Sequence, residues 1–259
     1  MSFALGPRAR SAQYRLVSFD TLNSTNAEAL TRLPTGECGQ LWLATVHQTA
    51  GHGRRQRTWI SPSGNLACSV IETLTADHTK AATLGFVAGL ALEAALRQVG
   101  GDAGLFRLKW PNDVLAGNAK LAGVLIEAKT IPDGLAAVVG MGVNVVAAPE
   151  DTPYPATSLK TLGIVTDAET LFSALADAWA EWFAVWDHGL GFETIRTHWL
   201  ARAAGLGAPI EVRLGERVIG GVFETIDEAG RLVVSYGGGV TTVTAGDVYF
   251  GAAMSAGAA

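Results

Sequence analysis

The hydrophobic pattern of this chain changes at Gly207, and no other feature constrains its fold as strongly. After it, four short segments alternate apolar and polar residues between turn signals: 209–214, 218–225, 232–236 and 240–245. Short strands at even spacing predict a small, barrel-like all-β module of roughly fifty residues. A chain of 259 residues has room for this module and one larger domain. We therefore predict a first domain over residues 1–206 and a second over 207–259, with a frayed tail at 251–259.

The first domain mixes strand and helix patterns. Its strand candidates are 12–19, 40–46, 66–74, 105–110, 120–128 and 136–145. Residues 78–99 read as a long, mostly buried helix that ends at a glycine pair. Trp179, Trp182 and Trp186 recur at helical spacing, which predicts a second helix with these rings in the core. A third helix is expected near 193–203, so the domain combines a sheet with packed helices.

Local signals set several boundaries. Thr25 with Glu28, and Thr166 with Glu169, match the capping box that begins a helix. The turn signal at 132–134, Pro-Asp-Gly, favours a hairpin between the last two strands of the domain.

Charge and cysteine content exclude several classes of protein. The net charge of −5 gives no electrostatic footprint for nucleic acid or for an anionic membrane. Cys38 and Cys68 have no motif spacing, which indicates buried free thiols in a reducing compartment. The N-terminus lacks the apolar segment of a signal peptide, and the apolar run 84–96 is short and contains Glu93. We expect a cytoplasmic protein.

The loop at 51–59, Gly-His-Gly-Arg-Arg-Gln-Arg-Thr-Trp, is the most informative stretch. Arg54, Arg55 and Arg57 would repel one another unless an anion joined them, and guanidinium groups suit phosphate and carboxylate. The glycines allow a ligand to approach the backbone, and Trp59 could stack on a flat base. The alternative is a solvated basic loop with a core tryptophan. A dinucleotide fingerprint is disfavoured because Gln56 takes the place of its third glycine and a strand follows the loop.

Three further segments carry polar residues beside predicted strands. Asn112 and Asp113 follow Pro111 at a strand end, and their oxygens suit Mg²⁺, although an ordinary Asn-Asp turn has the same pattern. Lys109 beside them is either a surface charge or a phosphate contact. Lys120 stands at the start of an apolar strand, and Asn144 lies within a glycine-bearing strand, where it needs hydrogen-bond partners.

These segments together resemble the biotin–protein ligases. That family has a loop close to Gly-Arg-Gly-Arg-Arg-Gly-Arg-x-Trp, then Lys-Trp-Pro-Asn-Asp, Lys-Leu-(Ala/Gly)-Gly-(Ile/Val)-Leu-x-Glu and Gly-x-Gly-x-Asn. The chain has counterparts in the same order at 51–59, 109–113, 120–127 and 140–144. The segment 20–26 also resembles the family's Asp-Ser-Thr-Asn entry to the first helix. The ordered set is specific, whereas each member alone is not.

The resemblance assigns roles to particular residues. Around biotin it implies Ser24, Thr25, Asn26, Gln48, Gly51, His52, Gly53, Arg54, Lys120 and Gly123. Around ATP it implies Arg54, Arg55, Arg57, Trp59, Lys109, Asn112, Lys120 and Asn144. The implied catalytic residues are Lys120, Arg54 and Asp113, with Asn112 and Asp113 near Mg²⁺.

The resemblance also implies a fold and a reaction. The fold is α+β: a mixed sheet with packed helices, of the class II synthetase-like biotin/lipoate ligase type, followed by an SH3-like barrel. ATP and biotin would give biotinoyl-5'-AMP, and the biotinoyl group would pass to a lysine of a biotin carboxyl carrier protein. Only about twenty residues precede the first motif, too few for a DNA-binding domain, so we expect no nucleic-acid or membrane partner. Pairing of sheet edges leaves a homodimer open.

Two departures from the family pattern keep alternatives open. His52 stands where the family has arginine, and Gln56 stands where it has glycine. Losing a permanent charge could weaken retention of the adenylate, so a non-catalytic paralogue that binds biotin is one alternative. A ligase for lipoate or octanoate on the same fold is the other.

Overall fold

The computed structural model describes residues 2–250 except 38, 76, 101, 103, 133, 151 and 153. Cys38, the centre of the predicted turn at 132–134 and the predicted frayed tail therefore lie outside the described residues. Cys68 is a buried free thiol, as expected.

A seven-stranded mixed sheet forms the centre of the first domain, in the order β1-β2-β3-β7-β6-β5-β4. Among the strands that the structure describes in this sheet, only β1 and β2 pair in parallel. The strands are β1 Arg15–Phe19, β2 Leu41–Thr45, β3 Leu66–Leu74, β4 Phe106–Lys109, β5 Asp113–Ala116, β6 Ala119–Ile131 and β7 Gly134–Val143. The six predicted strands are present, and β5 was missed because its four residues directly follow a turn sequence.

The described residues form six α-helices: α1 Pro7–Ser11, α2 Thr25–Arg32, α3 His78–Ala82, α4 Leu84–Gln98, α5 Ala168–Trp186 and α6 Phe192–Leu200. Short 3₁₀ turns lie at Leu33–Thr35, Arg54–Gln56 and Asp187–Gly189. The long helix predicted over 78–99 is present as two consecutive helices, α3 and α4, with an interruption at Thr83. The Thr83 hydroxyl donates to the carbonyl of Lys80 (2.6 Å) and accepts from Trp186 Nε1 (2.8 Å), which competes with a continuous helix.

Both predicted caps are off by one residue. Ser24, not Thr25, caps α2 by accepting from the Ala27 amide (3.3 Å), while Glu28 pairs with Arg32. Asp167, not Thr166, caps α5 by accepting from the Thr170 amide (2.7 Å). At α5, the carboxylate of Asp167 also interacts favourably with the positive end of the helix dipole, which a threonine hydroxyl does not.

The two faces of the sheet bury different elements. Successive residues of a strand point to opposite faces, so Trp42 packs in the large core whereas Leu41 and Leu43 face the smaller cluster that includes Ala29 of α2. Helices α4 and α5 pack in the large core. Trp179 and Trp186 are fully buried and Trp182 packs partly buried against them, which confirms the core role predicted for this stripe.

The helical stretch His78–Gln98 has the length and hydropathy of a membrane span, yet most of it is buried inside the domain. Such a pattern is weak evidence for a membrane segment, since the core helix of a globular domain shares it.

Glu72 of β3 is a buried carboxylate at this core. Tyr14 Oη (2.6 Å) and Trp179 Nε1 (2.8 Å) both donate to its Oε1. Burial raises the pKa of Glu72 from 4.5 to about 7, although these hydrogen bonds act to lower it. The proton therefore stays on the folded chain at a pH where the unfolded chain has released it.

We expect the free energy of unfolding to fall as the pH rises from about 4.5 to about 7, by on the order of 2–3 kcal/mol from this group. Denaturant unfolding at pH 5 and pH 8 measures the change. Glu72→Gln should remove this component, and Glu216→Gln at an exposed site should not. An unchanged pH slope in Glu72→Gln would contradict the assignment.

A second, antiparallel sheet follows, in the order β11-β10-β9-β8-β12. Its strands are β8 Pro209–Leu214, β9 Arg217–Ile226, β10 Leu232–Tyr236, β11 Gly239–Val243 and β12 Asp247–Phe250. The α+β fold class is confirmed. The sequence missed β12, because only three residues separate it from β11. Trp110 Nε1 donates to the Gly230 carbonyl (3.1 Å), one of the contacts that fix this module on the first domain.

Candidate active site

A cleft of about 1000 Å³, its open mouth included, lies where the two sheets meet. Its walls come from the start of α2, the loop between β2 and β3, the β4–β5 turn, strands β6 and β7, and the start of β12. Most predicted site residues line it: Ser24, Thr25, Asn26, Gln48, His52, Gly53, Arg54, Arg57, Trp59, Lys109, Asn112, Asp113, Lys120 and Gly123. The predicted residues Gly51, Arg55 and Asn144 are absent from this lining.

One end of the cleft is a network of hydrogen-bonding side chains, of which all but the supporting Glu127 are uncharged. Gln48 Oε1 accepts from the Thr25 amide (2.8 Å). Ser69 Oγ lies 2.7 Å from Thr25 Oγ1 and 2.6 Å from Asn26 Oδ1. Because the amide oxygen of Asn26 can only accept, the Ser69 hydroxyl donates to it. The Thr25 hydroxyl also donates to Gln48 Oε1 (3.3 Å). Asn26 Nδ2 in turn donates to Glu127 Oε2 (2.8 Å). The network fixes the orientation of each group that faces a ligand.

Ser69 and Glu127 had no assigned role in the sequence. Ser69 lies in an apolar strand that gives no signal. Glu127 ends the segment 120–127, and its position in that motif was the available clue.

The floor of the cleft is made of glycines. Gly123 of β6 pairs with Gly142 of β7. A Cβ on Gly142 would lie 2.5 Å from Trp59 Cε2, and one on Gly123 would lie 3.2 Å from Trp59 Cζ3. A Cβ on Gly140 would collide with the Asn26 side chain. The indole of Trp59 and the amide of Asn26 therefore lie directly on the sheet, at positions only glycine permits.

The arginine loop folds back on itself. The Trp59 amide donates to the Gly51 carbonyl (2.9 Å), and the Gly53 amide donates to the Arg57 carbonyl (2.7 Å). Arg55 and Gln56 at its tip have φ of 56° and 58°. This left-handed region costs a non-glycine residue on the order of 1–2 kcal/mol, which accounts for the family's glycine at the position of Gln56.

The carboxylate of Asp247 pairs with two of the three loop arginines, Arg57 and Arg55. Arg57 Nη2 donates to Asp247 Oδ2 (2.6 Å), and Arg55 Nη1 lies 3.4 Å from the same oxygen. Burial would raise the pKa of Asp247, but the hydrogen bond and charge of Arg57, with Arg55 and Arg54, hold it below its ordinary value. Sequence reasoning expected a bound ligand to be this anion. It missed Asp247, which lies 190 residues from Arg57 in the chain.

Arg54 points into the cleft instead. Its Nη1 donates to Asn112 Oδ1 (3.2 Å), and the side chain is half-buried. Burial lowers the pKa of Arg54, and the charges of Arg55 and Arg57 act in the same direction. Lys109, whose pKa burial also lowers, lies 5.8 Å from the ring centroid of Tyr249 on β12.

Lys120 is held between three side chains. Its Nζ lies 2.6 Å from Asp113 Oδ1, 5.5 Å from the ring centroid of Trp59 and 5.4 Å from that of Tyr154. Asp113 and Lys120 meet because they lie on the neighbouring strands β5 and β6. Tyr154 was not predicted, since it belongs to a loop without a motif.

Asn144 forms a hydrogen bond with the backbone of the loop that carries Tyr154. Its buried Nδ2 donates to the Thr157 carbonyl (3.1 Å), and its amide donates to the Leu121 carbonyl (3.0 Å). Its Oδ1 is buried without a partner in the part of the chain that the structure describes. A direct contact with nucleotide stays a prediction.

Asn112 and Asp113, the residues predicted near Mg²⁺, both contact cationic side chains. Asn112 Oδ1 accepts from Arg54, and Asp113 faces the ammonium group of Lys120. Within the described ranges, no group of three or more His, Cys, Asp or Glu side chains could hold a metal ion. The position of Mg²⁺ near Asn112 and Asp113 stays a prediction, since Mg²⁺ usually takes one or two carboxylates together with substrate phosphates and water.

Two family models match the chain. The biotin/lipoate A/B protein ligase family matches residues 18–144, and the biotin protein ligase C terminal domain matches residues 205–251. A biotin–[acetyl-CoA-carboxylase] ligase of Paracoccus denitrificans is 42% identical over 236 residues, which are 88% of this chain and 98% of that protein.

Solved structures agree with this similarity. A mutant biotin protein ligase from Aquifex aeolicus, in complex with biotin, has a TM-score of 0.78 at 25% identity, covering 92% of this chain and 99% of that one. The biotin protein ligase of Leishmania major in complex with biotinyl-5-AMP has a TM-score of 0.62 at 25% identity, covering 89% and 99%.

Proposed function

This chain belongs to the biotin protein ligase family, and from that premise we propose that its cleft activates biotin with ATP and transfers it to a lysine of a biotin carboxyl carrier protein. The observation that carries the proposal is the polarity of the cleft. Neutral hydrogen-bonding groups around Thr25 and Gln48 lie at one end, and the cationic Lys120 and Arg54 line the same cavity. That arrangement suits a ligand with a polar, uncharged ring and a carboxylate tail.

The first step joins two anions. The biotin carboxylate attacks the α-phosphorus of ATP, which gives biotinoyl-5'-AMP and releases pyrophosphate. The ammonium group of Lys120 and the guanidinium of Arg54 offset the repulsion and stabilise charge on the phosphate oxygens. Asp113 holds Lys120 through the 2.6 Å ion pair. We assign five further residues to the nucleotide side of the cleft: Arg55, Arg57, Trp59, Lys109 and Asn112.

In the second step a neutral lysine amine of the carrier attacks the acyl carbon of the mixed anhydride. An amide bond forms, AMP leaves, and the amine releases a proton. We assign no general base to this step, because the carboxylate of Asp113 already pairs with Lys120.

Seven residues that line the cleft are proposed to lie around biotin: Ser24, Thr25, Asn26, Gln48, His52, Gly53 and Gly123. Ser69 and Glu127 support them through hydrogen bonds to Asn26. Gly51 is kept for its backbone, because its carbonyl accepts from the Trp59 amide. Magnesium would neutralise the triphosphate, and Asn112 and Asp113 are the residues that we propose would lie near it. The cytoplasm, which supplies ATP and keeps thiols reduced, is the proposed compartment. A homodimer through sheet edges remains a prediction, and we propose no nucleic-acid or membrane partner.

The test is to mix the purified chain with biotin, Mg-ATP and a biotin carrier domain, and to follow the carrier's mass. A gain of one biotinoyl group that requires ATP is the expected result. Lipoate in place of biotin tests the alternative that the chain is a lipoate or octanoate ligase. Binding of biotin without any adenylate would favour the non-catalytic alternative instead.

Asp247→Asn should raise the KM for ATP by about 5- to 20-fold while leaving kcat within about threefold. Without the carboxylate, Arg55 and Arg57 repel each other and lose the contact that holds the loop over the cleft. Restoring that order on binding costs on the order of 1–2 kcal/mol. Pyrophosphate exchange at varied ATP concentration measures both constants.

Asp227→Asn is the matched control, because Asp227 pairs with Arg231 on the same small module. It should leave the KM for ATP unchanged. A KM that falls in Asp247→Asn would mean that the carboxylate competes with phosphate rather than organising the loop.

A further inference from the structure

The segment that follows β7 folds back along the start of β6. The Lys120 amide donates to the Pro155 carbonyl (2.8 Å), and the Thr157 amide donates to the Lys120 carbonyl (2.9 Å). Asn144 fixes the segment through its bond to the Thr157 carbonyl, and the Leu159 amide donates back to the Asn144 carbonyl (3.0 Å). The backbone of Lys120 is therefore held by a loop that carries an aromatic residue, Tyr154, beside it.

The side chain of Lys120 is confined in the same place. The rings of Tyr154 and Trp59 lie at nearly equal distances from Nζ, 5.4 and 5.5 Å to their centroids. Both distances are within the range in which a ring attracts a cation. Asp113 contacts Nζ directly at 2.6 Å, and all four side chains line the cleft.

We propose that Tyr154 is a positioning residue for the reaction, which together with Trp59 holds the ammonium group of Lys120 in the cleft through its ring. This inference rests on the proposed function. A lysine side chain has four rotatable bonds and loses much rotamer freedom when it is fixed. A small misplacement of a charged group costs rate steeply, because transition-state stabilisation depends on position. Two rings and a carboxylate remove that freedom before substrate binds.

The proposal predicts a specific pattern of variants. Tyr154→Phe keeps the ring and should keep kcat for adenylate formation within about twofold. Tyr154→Leu keeps apolar bulk without the ring and should lower kcat by about 5- to 30-fold. KM for ATP and for biotin should change by less than about threefold in both. A second non-aromatic variant, Tyr154→Met, repeats the comparison with a different shape.

The decisive measurement is a double-mutant cycle with Lys120→Ala. If Tyr154 acts through Lys120, then Tyr154→Leu should lower the residual rate of Lys120→Ala by less than about twofold. Independent effects that multiply would overturn the proposal. A raised KM for ATP with unchanged kcat would also overturn it, since the ring would then contact nucleotide.

The controls separate this inference from the proposed function. Tyr236→Leu, at a half-exposed tyrosine of the second sheet, should match the unmodified chain. If the unmodified chain forms no adenylate, the proposed function fails. If the unmodified chain is active and both non-aromatic variants equal it, only the role of Tyr154 fails.

Discussion

Lys120→Ala should lower the rate of biotinoyl-adenylate formation by at least about 10³-fold. Removing one preorganised donor from a developing oxyanion costs about 10²–10³ in rate. Lys120 also offsets the repulsion between a carboxylate and a triphosphate, so we expect the upper end of that range or beyond. Its removal further leaves Asp113, 17% exposed in its side chain, as an unpaired negative charge where the anions must meet. Single-turnover formation of the adenylate measures the effect directly.

Lys129→Ala is the matched control, because Lys129 lies on the same strand but is exposed. It should retain the full rate, and both variants should have the thermal midpoint of the unmodified chain within a few degrees. Full turnover by Lys120→Ala would refute the central role assigned to this lysine.

The sequence singled out residues that mostly line one cleft, because they lie in short motifs at strand ends. Lys120 and Asp113 were separate predictions, and they meet because β5 and β6 are neighbouring antiparallel strands. The strands themselves follow from alternation and apolar runs, which report burial on a pleated sheet. Such patterns depend only on residues close together in the chain, so they can be recognised before the fold is known.

The residues that were missed act across long separations. Asp247 reaches the arginine loop from the second sheet, and Tyr154 reaches Lys120 from a loop that has no motif. Neither pairing leaves a periodic or local trace in one sequence. For Asn144, the sequence predicted a need for hydrogen-bond partners but not their identity. A backbone carbonyl, that of Thr157, supplies one of them.

The cap errors have a related cause. Thr25 and Thr166 have suitable chemistry, but Ser24, one residue before Thr25, and Asp167, one residue after Thr166, offer equal or better acceptors. The hydroxyl of Thr25 is instead engaged by Ser69 in the cleft. At α2, a tertiary contact thus engages Thr25 and leaves the cap to Ser24, which local propensity could not predict.

Gly142→Ala should lower adenylate formation by about 10²-fold or more while the chain stays folded. The added Cβ would lie 2.5 Å from Trp59 Cε2, inside van der Waals contact, so the indole must leave the floor of the cleft. The centroid of the indole ring is 5.5 Å from Lys120 Nζ, so its displacement should disturb the ammonium group proposed as catalytic and the proposed nucleotide side. The cleft is open to solvent, which lets the ring move outward without unfolding the sheet.

The test for Gly142 compares the adenylation rate with thermal unfolding, using Gly220→Ala as the control. Gly220 also lies in an antiparallel strand, and an added Cβ there meets nothing within 4 Å. The collision between the added Cβ and the indole predicts a second result. In a Trp59→Ala background the collision no longer exists, so Gly142→Ala should cost less than about threefold more. A full additional loss in that background would show that Gly142 acts through its backbone rather than by giving the indole a place to lie.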